Sequence, residues 1–139
     1  PGTRGADAAR RATRTIASAW PDLAPLVDTY VETARAVLAA AGERAGATLV
    51  ATQGNVLTID DLLRTLAVEA TVHQLDLRRG EPSSRGLTEV RRVLDGLLGQ
   101  AAPIPDAVRY ALIGTGREAP TAAERSLLGA AADRLPLFG

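Results

Sequence analysis

The stretch from Thr58 to Gly80 restricts the possible folds of this chain more than any other, because it has the pattern of one long, capped helix. Thr58 is a good N-cap residue, and Asp61 stands three residues later, at the acidic position of a short-armed capping box. Gly80 supplies the C-terminal stop signal. We therefore predict a helix over about residues 59–79.

Apolar residues occupy two opposite sides of this predicted helix. A helix packed on one side carries a single apolar stripe, whereas two stripes are typical of a helix covered on both sides. We therefore expect this helix to be the central element of the domain. The first stripe contains Ile59, Leu62, Leu63, Leu66, Ala70, His73 and Leu77, and the second contains Val68, Val72 and Leu75.

The rest of the chain also favours helices, because alanine and leucine dominate and aromatic residues make up only 3%. Between Ala45 and Leu57 the pattern changes to a loop with one or two short extended pieces. We predict an all-α bundle, a single domain over residues 1–139 with a short helical tail over about residues 100–139. The other predicted helices cover about Asp7–Ala19, Pro21–Glu43, Leu87–Leu98, Pro105–Ile113 and Thr121–Arg134.

Composition excludes several classes of function. The 16 basic residues balance the 16 acidic ones, which argues against a nucleic-acid binder that relies on a positive field. There is no cysteine, so disulfides, thiolate nucleophiles and cysteine metal sites are excluded, and any thiol must come from outside. The sequence shows no signal peptide and no apolar run of about 18–20 residues, so we expect a cytoplasmic protein with no membrane partner.

The only histidine, His73, lies on an apolar stripe with Glu69 four residues before it. Both side chains therefore project from the same side of the helix, about one turn apart. A carboxylate and an imidazole at this spacing can share one divalent metal ion, or they can form a buried hydrogen-bonded pair without a metal. A catalytic zinc ion normally has three protein ligands. The third would be Asp76, another carboxylate or a residue outside this chain.

Asp76 follows His73 by three residues. Its carboxylate can accept a hydrogen bond from the imidazole and so orient that ring as a metal ligand, without itself binding the metal. Alternatively, Asp76 pairs with Arg79 or caps a neighbouring element. Arg117 and Arg134 can hold the carboxylate of an anionic substrate, or they can form surface ion pairs. The sequence contains no P-loop, no dinucleotide-binding fingerprint and no Ser-His-Asp spacing typical of nucleophilic catalysis.

The motif Glu69-x-x-x-His73-x-x-Asp76-Leu77 resembles the signature of the mycothiol-dependent maleylpyruvate isomerase family, an actinobacterial branch of the DinB-like four-helix bundles. The segment from Gly114 to the end of the chain is also similar to the tail of many family members. The resemblance covers most of the chain from about Leu23 onward.

The resemblance implies a DinB-like bundle of up-and-down helices that holds one divalent metal ion, usually zinc, through a His, a Glu and a second His. Glu69 matches the family glutamate and His73 the second histidine. The metal activates the thiol of mycothiol, which then reacts with an unsaturated or electrophilic small-molecule substrate. The resemblance therefore implies a thiol transferase or an isomerase-like protein. The isomerase branch has a further C-terminal domain, for which this chain has only a short tail.

The first histidine of the family lies on an earlier helix, and nothing in this chain matches it. The chain begins with Pro1 and contains no methionine, so we expect further helices N-terminal to it. Those helices, or a partner chain, would then cover an exposed face of the bundle. The alternative is a non-catalytic helical module for ligand binding or protein contact, in which Glu69 and His73 form a structural pair.

Overall fold

The computed structural model describes residues 11–12, 14–15, 17–20, 22–52 and 54–138. The chain divides into two compact units, Pro1–Thr48 and Leu49–Gly139. Helices dominate, which confirms the helical class predicted from the sequence. None of the helices formed by the described residues is both long enough and apolar enough to cross a membrane.

The first unit contains helix α1, Leu23–Gly42, which confirms the second predicted helix. Asp22 caps its first turn, and the helix is rich in alanine, the best helix former. None of the α1 side chains, all of which are described, is buried. The apolar stripe of the Pro21–Glu43 pattern predicts a bundle helix packed on one side, and among the described residues this stripe is exposed instead. The exposed stripe includes Leu23, Leu26, Val27, Tyr30, Val37 and Leu38.

Part of the first predicted helix is visible. Residues 11–12, 14–15 and 17–18 are helical, as the sequence predicts. The start of that helix at Asp7, and Pro21 as the first residue of the next one, lie outside the described residues.

The second unit opens with a β-hairpin, which accounts for the extended pieces predicted before the long helix. Strands β1, Leu49–Thr52, and β2, Asn55–Thr58, pair antiparallel, with Leu49 opposite Thr58 and Thr52 opposite Asn55. Gly54 in the connection has φ +86°, a conformation that glycine adopts without steric cost. The hairpin leads directly into the long helix.

Helix α2 spans Ile59–Leu77 and confirms the predicted helix within two residues at its end. The Thr58 side chain accepts a hydrogen bond from the backbone N–H of Asp61 at 3.1 Å, so the N-cap is as predicted. At the other end, Arg78 takes the left-handed conformation with φ 50°, and Gly80 follows with φ +67°.

Three shorter helices follow: α3, Ser84–Leu98, α4, Ala107–Gly114, and α5, Ala122–Leu128. Thr121 and Glu124 form the full capping box that the sequence predicts at the start of α5. A 3₁₀-helix, Gly129–Arg134, continues the last segment in place of the predicted α-helix. Helix α2 packs on α3, and α3 packs on α4.

The hydrophobic core of the second unit lies among α2, α3, α4 and the tail. Helix α2 contributes its second stripe to this core, whereas most of its first stripe faces away. Leu66 and Leu77 of the first stripe are exposed. The expectation of a helix covered on both sides is therefore wrong for the described residues. The buried core residues are Val68, Val72, Val90, Leu94, Leu98, Ala102, Ile104, Tyr110, Ala111, Ile113, Leu128 and Ala132, with Leu75 and Phe138 packed against them.

Candidate functional site

The three residues singled out from the sequence lie side by side on α2. The His73 Nε2 atom is 3.6 Å from Glu69 Oε2, and His73 Nδ1 is 3.2 Å from Asp76 Oδ2. The helical spacings of four and three residues place both carboxylates against the same imidazole. The structure therefore brings all three predicted residues together, with one carboxylate at each ring nitrogen.

The cluster is exposed rather than buried. The side chains of His73 and Glu69 are 69% and 61% exposed. The expectation of a pair enclosed in the protein interior is therefore wrong. Helix α2 buries the side that carries Val68 and Val72, which turns the histidine side outward. A helix with two apolar stripes does not reveal in its sequence which stripe the rest of the fold covers.

Arg117, from the segment that follows α4, completes the cluster. Its Nε and Nη2 atoms donate hydrogen bonds to Asp76 Oδ1 and Oδ2 at 2.6 and 2.7 Å. This is the parallel two-bond geometry for which a guanidinium is suited. Asp76 therefore pairs with Arg117 and not with Arg79. No local sequence pattern predicts this contact, because the two residues are 41 positions apart in the chain.

The segment that carries Arg117 is held by backbone hydrogen bonds. The Arg117 N–H donates to the Leu112 carbonyl at 2.9 Å, and the Leu137 N–H donates to the Gly114 carbonyl at 2.8 Å. Gly116 has φ +73°, and a Cβ there would lie 3.0 Å from a carbon of Pro136. The guanidinium therefore projects from a segment pinned both by α4 and by the end of the chain.

The ion pair controls the charge of Asp76. The hydrogen bonds from Arg117 lower the pKa of this carboxyl group to about 2, partial desolvation opposes them, and the contact with His73 lowers it further. The same hydrogen bonds raise the pKa of Arg117. Asp76 is therefore ionised at neutral pH and can only accept hydrogen bonds.

The ionised Asp76 assigns the tautomer of the neutral imidazole. Because a carboxylate can only accept, the contact with His73 Nδ1 places the ring proton on Nδ1. The lone pair of Nε2 is then free, and this atom is 3.6 Å from Glu69 Oε2. Two acceptor atoms at this distance are stabilised by a cation or a proton between them.

The same separation suits two ligands of one metal ion. Ligand atoms about 2.0–2.2 Å from a tetrahedral zinc ion are about 3.3–3.6 Å apart, and nitrogen and oxygen are both accepted zinc ligands. The pair therefore fits as two neighbouring ligands. Within the described part of the chain, however, no group of three or more His, Cys, Asp or Glu residues is arranged to hold a metal ion.

Open grooves lie beside the cluster. Asp76 and Arg117 line one of about 400 Å³ together with Leu75 and Val108, and Glu69 lines another of about 260 Å³. A wider groove of about 630 Å³ between α2 and the start of α3 contains none of the three predicted residues. The side chains of the cluster therefore lie at the edge of open grooves and not inside an enclosed cavity.

Arg134, the other arginine considered for an anionic substrate, has a structural contact. Its Nη1 and Nη2 atoms donate to the carbonyls of Leu98 and Leu97 at 2.6 Å each, at the C-terminal end of α3. A cation there satisfies carbonyl groups that have no partner within the helix.

Comparisons of the chain with models of protein families, with curated proteins and with solved structures gave no match.

Proposed function

We propose that this protein binds one divalent metal ion, zinc, between Glu69 and His73, and that the metal serves the transfer or addition of an external thiol. The observation that carries the proposal is the separation of 3.6 Å between His73 Nε2 and Glu69 Oε2, with the opposite ring nitrogen engaged by Asp76. An imidazole that binds a metal through one nitrogen while donating from the other to a carboxylate is the usual arrangement in zinc proteins.

The described residues supply two ligands of the proposed site. A catalytic zinc ion normally has three protein ligands and one open position. The proposal therefore requires a further protein ligand from outside the described residues, and it leaves a position for the thiol. Exposure of Glu69 and His73 supports this requirement, because both side chains are accessible to a group that the described residues do not contain.

The sequence motif supports the choice of thiol. The resemblance to the mycothiol-dependent isomerases implies a DinB-like bundle with mycothiol as cosubstrate, and the absence of cysteine is consistent with a thiol supplied from outside. Bound zinc deprotonates a coordinated thiol at neutral pH. Glu69 and His73 would hold the ion, and Asp76 would orient His73.

Zinc content tests the proposal directly. Purified protein dialysed against zinc and then against buffer should retain about one equivalent, measured by plasma mass spectrometry. The variants His73→Ala and Glu69→Gln should each lose the bound zinc. Glu81→Gln removes the same single negative charge at another exposed position and should keep the zinc. Failure of the unaltered protein to retain zinc would overturn the proposal, as would full retention by both site variants.

The exposed apolar residues of α1 favour a second candidate function, a non-catalytic module for protein contact or ligand binding. Leu23, Tyr30 and Leu38 are all more than half exposed. A metal site raises the melting temperature when zinc is added, because the metal binds the folded state. The module predicts melting curves that neither zinc nor a chelator alters.

A further inference from the structure

The contact between Arg117 and Asp76 does more than join two segments. Asp76 uses Oδ1 and Oδ2 to accept from Arg117, and Oδ2 also lies 3.2 Å from His73 Nδ1. The carboxylate is thus shared by a guanidinium and an imidazole. The guanidinium fixes the plane of the carboxylate, because both oxygens are bonded to a rigid donor group.

The Arg117 side chain has a defined position from which to do this. It is 26% exposed, less than Asp76 at 42% and much less than His73 at 69%. Gly116, directly before Arg117, is packed against Pro136, and the Arg117 N–H donates a hydrogen bond to the Leu112 carbonyl. The exposed fraction therefore decreases from the imidazole through the carboxylate to the guanidinium.

We propose that Arg117 is a positioning residue for His73. Acting through Asp76, it holds the imidazole in the tautomer that carries the proton on Nδ1 and leaves the Nε2 lone pair free beside Glu69. The use of that lone pair for metal binding rests on the proposed function. The control of the tautomer stands on the geometry of Arg117, Asp76 and His73 alone, and it is measurable without any metal.

Nuclear magnetic resonance of the zinc-free protein tests the tautomer. The chain has one histidine, so ¹⁵N labelling gives two ring nitrogen signals without ambiguity. Spectra are recorded at a pH of about 8.5, about two units above the pKa of a free histidine side chain. We expect the proton on Nδ1 in the unaltered protein and a shift of the population toward Nε2 in Arg117→Gln and Asp76→Asn. Arg125→Gln, which removes the charge of an exposed arginine in α5, should leave the signals unchanged.

Zinc affinity gives the second measurement. Loss of a partner behind a metal ligand typically weakens binding by about 10–100-fold, and we expect Arg117→Gln and Asp76→Asn to fall in this range. The double variant should bind no more weakly than Asp76→Asn, because Arg117 acts through that carboxylate. Arg117→Lys keeps the charge without the two-bond geometry and should give an intermediate affinity and an intermediate tautomer population.

The outcomes separate the two proposals. An unchanged tautomer in folded Arg117→Gln overturns the positioning role, whatever the zinc affinity. A shifted tautomer in a protein that binds no zinc supports the positioning role and overturns the proposed function. Additive losses of affinity in the double variant also overturn the positioning role, because they mean that Arg117 acts on zinc binding by a route other than Asp76.

Discussion

Glu69 and His73 of the candidate site contribute much less to the free energy of unfolding than the buried core residues do. Glu69 and His73 lie at the surface, where even a fully charged pair is worth only about 0–1 kcal/mol, because water competes and long side chains lose entropy. A buried pair would cost about 3–5 kcal/mol when one partner is removed. Exposure therefore makes the pair available for binding without making the fold depend on it.

Substitution at the pair should therefore leave the zinc-free protein stable. We expect Glu69→Gln and His73→Gln to change the free energy of unfolding by less than about 1 kcal/mol, measured by urea denaturation with a chelator present. Leu94→Ala, at a fully buried position of α3, should cost about 2–5 kcal/mol in the same assay. A loss of several kcal/mol at Glu69 would contradict the exposed position.

A second arginine controls a carboxylate at the start of α5. Arg109 donates two hydrogen bonds to Glu124, at 2.6 and 2.7 Å, and also pairs with Glu118. The bonds from Arg109, followed by the backbone N–H of Thr121, lower the pKa of Glu124 to about 2. Its ordinary pKa is 4.5.

This shift predicts how stability depends on pH. Between the two pKa values the unfolded chain binds the proton and the folded chain does not, so stability rises with pH. The contribution of Glu124 is complete above about pH 4.5 and is lost as the pH falls toward 2. Glutamine still accepts in a capping box, so Glu124→Gln should retain the cap and flatten this part of the profile.

Urea midpoints measured from pH 6 down to pH 2 give the profile. Glu81→Gln is the control of equal charge and should keep the steep fall. An equally steep fall in Glu124→Gln would show that the Arg109–Glu124 pair does not set the acid sensitivity of the fold.

At the scale of elements, the sequence predicts the features that depend only on residues close together in the chain, such as helix starts. The N-cap of α2 at Thr58 and the capping box at Thr121 are local, so their residues suffice to place the helix starts. The start of α3 was predicted at Leu87, four residues after its true N-cap, Ser83. The reason is that apolar periodicity begins only at Leu87, whereas the cap is a single serine.

The side of α2 that the fold buries was not predictable in the same way. Val72 and Leu66 belong to different stripes of similar apolar character, yet Val72 is 5% exposed and Leu66 47%. The choice is made by the partner helix α3, not by α2. Patterns within one helix record which residues can be buried and leave open which partner buries them.

Close contact between α3 and α4 gives a prediction for a glycine. A Cβ on Gly114 would lie 2.7 Å from a methyl carbon of the fully buried Leu94. Gly114→Ala should therefore overpack the core and destabilise the protein by about 1–3 kcal/mol. Gly96→Ala lies in α3 with no atom within 4 Å of its Cβ, so it should be stabilising by about 0.5–1 kcal/mol.

Thermal and urea denaturation of the two variants compare the effects of adding one methyl group. Equal effects of the same sign at both glycines would mean that helix propensity, and not the approach of α3 to α4, decides the outcome at Gly114.

At the scale of the whole molecule, the described hydrophobic core belongs to the second unit. Its buried residues run from Val68 to Ala132, whereas α1 of the first unit has no buried residue. The pairing of Arg117 with Asp76 also lies within the second unit and joins two segments that are distant in sequence. Such a contact follows from the tertiary fold, so helical periodicity alone did not predict it.

This distribution predicts that residues 49–139 fold by themselves. We expect the excised fragment to unfold in one cooperative transition, because it contains the whole described core. Circular dichroism during heating measures this transition. The fragment of residues 1–48 should lack a cooperative transition, since α1 has no buried side chain and most of the stability of a protein helix comes from tertiary packing. A non-cooperative melt of the larger fragment would contradict the assignment of the core to that unit.

The hydrogen bond from Leu137 to Gly114 gives the carboxy-terminal residues an influence beyond their own surroundings. These residues anchor the loop from which the guanidinium reaches the carboxylate beside the imidazole. A proteolytic cut before Leu137, or an appended tag that pulls it away, would release that loop. Cleavage or tagging at the carboxy-terminal residues would thus alter the chemistry of His73, which lies on another segment of the chain.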